Sequence, residues 1–554
     1  MILGLHYAIW VVLAAYLAAM LLLGWWSKRR VGDSEGYLLG NRRFGTAMMA
    51  MHAFGAGTNP GDAAGTLSRT VAGGASGIWV SWMWMFGTPF YWLIAPIVRR
   101  MRCLTLADYF RERFGRASAV LYTAVASIGM TIFFGGVLMA TTRTVQGMMG
   151  EAAMPAPGAT DWWFFGILFV TTAVFVVYGY WGGIVAAIRT DMVQGLMIIV
   201  LSFLAIPAAL KLQQVGGLSG MKATLRAADP AYLSLFHPVH FSLAAVIVLC
   251  INAPLTALAL PHLMSVTSAG RTEWEGRMGF TGGNLLKRIC TIGWSVLGLA
   301  WLAYLIRTNS AIHPDAAFGD AVQGLLSPVL QGLMLACVMA ASMSSGDAVQ
   351  VTVAGLFTQS IYREYVNPRA DERQLVRFTR LTGIAIIAVS LVFAILMRRD
   401  LVKSILTYFN ILALIGISTA LGILWRRMNQ AGVFVSTFAA AAVFLAMRII
   451  PGCSTAAVFG LPILAGIVAG IVGSLLTRPP ERDRVERFFK RIYVPIGQEE
   501  KLDLSLDEAV PYGKRLLTAG GLFLVRPSRQ SWVGFVVTLA ICLACVATML
   551  ALLS

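Results

Sequence analysis

Apolar runs long enough to cross a bilayer recur along the whole chain. The hydrocarbon layer is ~30 Å thick and takes about 20 helical residues to span. Fourteen runs meet that length, near residues 5–27, 45–69, 76–98, 117–147, 162–180, 189–212, 239–265, 282–306, 326–360, 376–397, 401–425, 430–448, 455–476 and 531–553. Composition agrees, with 58% hydrophobic and 13% charged residues, where globular chains carry roughly a quarter charged. The chain therefore reads as an all-α polytopic membrane protein of about fourteen transmembrane helices, and a water-soluble fold of several domains is excluded. The first run, from Leu5 to Trp26, is too long for a signal-peptide core and is expected to be retained.

A net charge of +18 on a soluble chain would raise nucleic-acid binding, which needs a basic folded face. Here the Lys and Arg sit in the breaks between apolar runs, which sets membrane orientation instead. With the N-terminus outside, the inner loops collect Lys28 to Arg30, Arg42 and Arg43, then Arg99 to Arg116, Arg363 to Arg380 and the basic stretch Arg478 to Arg529. Both termini then face outward from a multi-pass protein of the cell membrane. The 213–238 loop is the exception, being placed outside with Lys222 and Arg226; long loops tolerate this. The seven cysteines are scattered through apolar runs, and Cys542 and Cys545, one turn apart, read as packing.

Two runs carry helix breakers near their midpoints. The second contains Gly55-Ala56-Gly57-Thr58-Asn59-Pro60-Gly61, and the seventh contains Asn252-Ala253-Pro254 followed by Pro261. Each opens a block of five crossings, so the second block runs upside down relative to the first. Paired interrupted helices in corresponding positions point to a binding site at a repeat interface; the plain alternative is two ordinary kinks. The organisation expected is an extra helix and inner loop (1–44), a first repeat (45–212), an outer loop (213–238), an inverted second repeat (239–428), two peripheral helices (429–476), a basic cytoplasmic segment (477–530) and a last helix (531–554).

The ninth run concentrates polar groups at Ser342, Ser344, Ser345 and Asp347. Single serines in membrane helices usually bond within the helix bundle, but a group of them opposite a broken helix suggests ion ligation. Unwound backbone offers carbonyls that a continuous helix has already used. The carbonyls of Ala56, Asn59 and Ala341 and the hydroxyls of Ser344 and Ser345 are expected to form one cage. These oxygens do not titrate near neutrality, which favours Na⁺ over H⁺ as the ion.

Ala340-Ala341-Ser342-Met343-Ser344-Ser345 resembles the Ala-Ala-x-Met-Ser-Ser/Thr signature of the sodium:solute symporter family. Gly36 to Arg42, Leu104 to Gly115 and Tyr178 to Gln194 are similar to other stretches of that family, and together they cover roughly 1–475. The resemblance implies a five-plus-five inverted-repeat (LeuT-type) core, a sodium site at the cage positions and a small organic solute as second partner. It places Asp191 on the inward path of the ion, and Asp347 where some relatives hold a second sodium ligand. The two aspartates are expected to frame an auxiliary or exit cation site; the alternative for Asp191 is capping of its own helix. Solute contacts are expected among Thr58, Asp62, Ala63, Trp82, Asn252, Thr256, Thr407 and Tyr408. Sugar-transporting relatives place Gln where Ala63 and Thr407 stand, and often Arg near Val266, so a galactose-type pocket is disfavoured and no replacement is named.

Sodium-coupled import by alternating access is the leading expectation. A proton-coupled transporter of the same fold is one alternative, and a transporter-like sensor is another, although 477–530 is too short for a kinase. Its Arg487 to Val494 run is expected to lie along the inner lipid surface. The Gly-x-Ser-x-Gly match at Gly32 to Gly36 lacks the strand and helix of a nucleophile elbow, and no phosphate-binding loop or zincin motif occurs. An enzyme is not expected.

Overall fold

The computed structural model describes residues 4–28, 39, 42–150, 153–154, 159–181, 184–238 and 241–554, with side chains throughout except at 21, 23–28, 177–181 and 184–187. Gly32 to Gly36, most of Gly36 to Arg42, and Gly182 and Gly183 lie outside the described residues.

The protein is helical apart from one two-stranded ribbon, β1 (Arg515–Leu517) with β2 (Leu524–Val525). In chain order the first half comprises α1 (Tyr7–Lys28), α2 (Thr46–Gly57), α3 (Pro60–Gly73), α4 (Trp79–Trp82), α5 (Tyr91–Arg100), α6 (Leu106–Phe114), α7 (Arg116–Met149), α8 (Trp162–Trp181), α9 (Ile184–Lys211) and α10 (Gly217–Ala228). The second half comprises α11 (Leu243–Ala259), α12 (Leu263–Ser268), α13 (Glu273–Thr308), α14 (Ala317–Leu325), α15 (Pro328–Phe357), α16 (Glu372–Leu396), α17 (Leu401–Leu424), α18 (Gln430–Ile449), α19 (Thr455–Leu476), α20 (Arg482–Tyr493), α21 (Leu506–Ala509) and α22 (Arg529–Leu553). Among the described residues nine helices are long and apolar enough to cross a membrane, and α1, α8 and α11 contribute shorter apolar stretches. The two remaining spans, α2 with α3 and α4 with α5, are interrupted.

Each interruption has a local cause. α2 stops at Gly57 because Pro60 has no N–H to continue the ladder, and Thr58 and Asn59 are extended, with φ of −115° and −131°. Asn59 then caps α3: its side chain accepts from the Gly61 N–H, while Asp62 accepts from the Asn59 N–H. In the seventh span the break falls later than the sequence suggests. α11 runs straight through Asn252 and Pro254, and the chain opens at Leu260, whose ψ of 120° is that of a residue pushed out of the helical region by the following Pro261.

Packing follows a five-span repeat. α2 packs on α13 and α9, while α11 packs on the Met85–Phe90 turn between α4 and α5 and on α17. α7 packs on α16 and α17, while α15 packs on α8 and α9. Exchanging each span for the one five places away converts the first set of contacts into the second. Burial separates the core from the periphery: 83% of the apolar window of α7 is buried, against 28% in α19 and α22, whose exposed side chains include Leu476 and Val536.

The α2–α13 crossing depends on glycine. A Cβ on Gly283 would stand 2.5 Å from both the Ala50 carbonyl oxygen and the Phe54 nitrogen, whereas one on Gly282 would only touch the Ala50 Cβ at 3.8 Å. Gly283→Ala is expected to cost about 1–3 kcal/mol by overpacking and to lower the melting temperature in a fluorimetric thermal scan. Gly282→Ala should leave it within error.

α20 is a correction to the surface-lying reading of Arg487 to Val494. Val485, Phe488, Phe489, Ile492 and Val494 are all buried, packed beside α5, α6 and α21, and the Tyr493 hydroxyl donates to the Phe523 carbonyl. The protein itself covers the apolar face of α20, where the sequence suggested lipid.

Candidate functional site

Two carbonyls are left over where α2 ends. In a continuous helix the Ala56 carbonyl would take the N–H of residue 60, which is proline, and the Gly57 carbonyl would take the N–H of Gly61, which goes instead to the Asn59 side chain. The Gly57 carbonyl accepts from the Lys287 ammonium of α13. The Asn59 carbonyl accepts the Asp62 N–H at 2.9 Å and keeps a second lone pair.

α15 faces this break with chosen hydroxyls. Ser342 turns the other way, 2.6 Å from Thr141 of α7. Ser345 reaches the Thr58 carbonyl at 3.4 Å, and Ser344 donates to Asp191 Oδ1. Because the Ser344 proton is held by a carboxylate, its oxygen lone pairs are free for a cation. Gly55 makes room for this approach, since a Cβ there would lie 2.7 Å from Ser344 Oγ and 3.0 Å from Asp191 Oδ1. The Thr58 hydroxyl, also buried, has no hydrogen-bond partner among the described residues. A hard cation prefers such a set of neutral oxygens.

Asp191 lies within α9 rather than at its start, so helix capping does not describe it. Its second oxygen sits 2.7 Å from His52 Nδ1, and both side chains are 1% exposed. His52, which the sequence reading passed over, thus completes a Ser344–Asp191–His52 chain running from α15 through α9 to α2. Asp347, also buried, lies three residues beyond Ser344 on α15.

A small cavity of about 40 Å³ lies on the other side of the break, lined by Ala56, Gly57, Trp84, Tyr91, His262, Lys287, Arg288 and Tyr408 among others. Asp62, expected as a solute contact, forms a buried ion pair with Lys287 at 2.8 Å. Tyr408 lines this cavity. Thr58 and Ala63 instead line a second cavity, also of about 40 Å³, with Asn59 and Ala341. Trp82, Asn252, Thr256 and Thr407 line neither cavity. Trp82 donates to the Arg288 carbonyl at 3.1 Å, and Thr256 donates to the Phe409 carbonyl at 3.0 Å. Thr407 donates to the Lys403 carbonyl at 2.6 Å and accepts from Arg448 at 2.9 Å. Asn252 is fully buried with neither side-chain atom partnered among the described residues. Lys287 and Arg288 were signalled in the sequence as two cations inside an apolar run, a pattern that marks function by default.

A broken helix opening each of two five-span blocks that repeat one packing pattern is the arrangement of a secondary transporter of the five-plus-five class. Solved structures agree on the fold. The chain aligns with a Na⁺-coupled sialic acid symporter in its substrate-bound outward-open state at a TM-score of 0.72, with 18% identity over 86% of this chain and 99% of that one. It aligns with Mhp1, a nucleobase-cation-symport-1 family transporter, at 0.51, with 11% identity over 82% and 98%. Residues 37–439 match the sodium:solute symporter family, and the chain belongs to it. Similar relatives include the osmoregulated proline transporter OpuE of Bacillus subtilis, 28% identical over 85% of this chain and 95% of its own length. The sodium/proline symporter of Haemophilus influenzae is 25% identical over 86% and 96%.

Proposed function

We propose that the protein imports a small organic solute with sodium, by alternating access between the repeats 45–212 and 239–428, with both termini outside. The observation that carries this reading is that Ser345 reaches the unwound segment at the Thr58 carbonyl while its neighbour Ser344 is held by Asp191. Sodium is assigned to the Ala56, Asn59 and Ala341 carbonyls and the two hydroxyls. Asp191, held by His52, orients Ser344 and receives the ion as it leaves, with Asp347 further along the same path. The solute is assigned to the cavity beside Lys287, Arg288 and Tyr408, so that one broken helix contacts ion and solute together and neither binds well alone.

The driving force is adequate. A potential of ~100 mV contributes about 2.3 kcal/mol per charge, and a tenfold sodium gradient adds about 1.4 kcal/mol. Together they support several-hundredfold accumulation of a neutral solute per ion. Reconstituted in proteoliposomes, the protein should accumulate labelled L-proline, or another small solute from a screened panel, only when sodium is higher outside. Equal uptake with a proton gradient replacing sodium would favour proton coupling through His52 and Asp191. Binding without any flux would favour a sensor.

A further inference from the structure

Lys287 and Arg288 follow one another on α13 and both line the cavity beside Tyr408, but their charges are met differently. The Lys287 ammonium is neutralised by Asp62 at 2.8 Å. The Arg288 guanidinium, 1% exposed, donates to the Ser81 carbonyl at 2.9 Å and reaches Asn284 Oδ1 at 3.5 Å. Among the described residues no carboxylate forms an ion pair with Arg288, and its Nε has no hydrogen-bond partner. The cavity wall therefore carries two cations to one anion. His262, buried on the same wall, leaves Nδ1 unpartnered as well.

A buried guanidinium answered only by neutral acceptors is electrostatically incomplete. Its planar fork of donors matches a carboxylate in two parallel hydrogen bonds. Much of the rest of the wall is apolar, with rings from Trp84, Tyr91, Phe133 and Tyr408, and suits a compact apolar body. We infer that the transported solute carries a carboxylate, which Arg288 binds. This rests on the symport reading above and narrows it to one solute class. A simple monocarboxylate and a zwitterionic amino acid share that group. With a single sodium ion the first crosses without net charge and the second carries net charge.

The test is a thermal-shift titration of the purified full-length protein in sodium and in choline buffer. It compares matched pairs, L-proline with L-prolinamide and propionate with propionamide, together with pyruvate, benzoate and glucose. A carboxylate should stabilise the protein in sodium while its amide and glucose do not. Arg288→Gln should weaken that carboxylate by about 10- to 100-fold, Arg288→Lys should recover part of the loss, and the shift produced by sodium alone should be the same in both variants. Proline or the simple acids responding would tell zwitterion from anion. Stabilisation by glucose or by an amide as strongly as by its acid, no response to any carboxylate, or an unchanged affinity in Arg288→Gln overturns the inference. Carboxylate stabilisation that needs no sodium leaves the inference standing and removes the symport reading.

Discussion

Lys287→Met should be the most destabilising single substitution at the site, by about 3–5 kcal/mol, because it leaves the buried Asp62 carboxylate without its counter-charge. The ammonium also satisfies the Gly57 carbonyl at the end of α2, so the same change releases the broken helix. Asp62 has a second duty. It accepts from the Asn59 N–H and from Asn59 Nδ2, both at 2.9 Å, and so holds the cap of α3. Asn at position 62 can still accept one of these bonds while carrying no charge. The double variant Lys287→Met with Asp62→Asn is therefore expected to recover most of the lost stability. The check is a double-mutant cycle read by thermal scanning, in which the pair should be less destabilised than the sum of the singles.

Removal of both α15 hydroxyls should have the largest effect on coupling. Ser344→Ala with Ser345→Ala deletes two of the five oxygens assigned to sodium and takes from Asp191 Oδ1 its hydroxyl donor. At about 1.5 kcal/mol for each ligand to a charged group, the sodium concentration for half-maximal uptake should rise about a hundredfold. The same hydroxyls serve the buried Asp191 carboxylate and the Thr58 carbonyl, so the melting temperature without sodium should fall as well, and the loss of coupling is read from the sodium dependence of uptake by the folded protein. Ser342→Ala serves as the control, since that hydroxyl faces Thr141 of α7.

Much of this architecture was legible in the sequence because hydrocarbon leaves few options. The fourteen apolar runs, the odd number of crossings per block and the breakers around Pro60 follow from backbone satisfaction alone. The break in α11 was misplaced by several residues. Pro254 and Pro261 are equivalent as letters, and only the surrounding helices determine that Pro254 is absorbed while Leu260 opens. The sequence already assigns Ser344 and Ser345, and not Ser342, to the proposed cage; the structure turns Ser342 toward Thr141 of α7.

The solute cavity was the least legible part. Its polar groups come from helices far apart in sequence, and a residue such as Thr256 looks the same whether it faces a cavity or, as here, a neighbouring carbonyl. Lys287 and Arg288 could have been weighted more heavily, as could His52, since ionisable side chains within apolar runs are rare without a purpose. What the letters could not give was the pairing. Nothing in the sequence shows that Lys287, far along the chain, arrives to neutralise Asp62.

The central claim is that sodium is gripped where α2 gives way to α3 and the serines of α15 meet it. Equilibrium binding of radioactive sodium to the purified protein, wild type beside the Ser344→Ala/Ser345→Ala variant, tests it most directly. The account predicts saturable binding in the wild type, strengthened by a bound solute, and almost none in the variant at the same concentrations. Undiminished binding in the variant would contradict it.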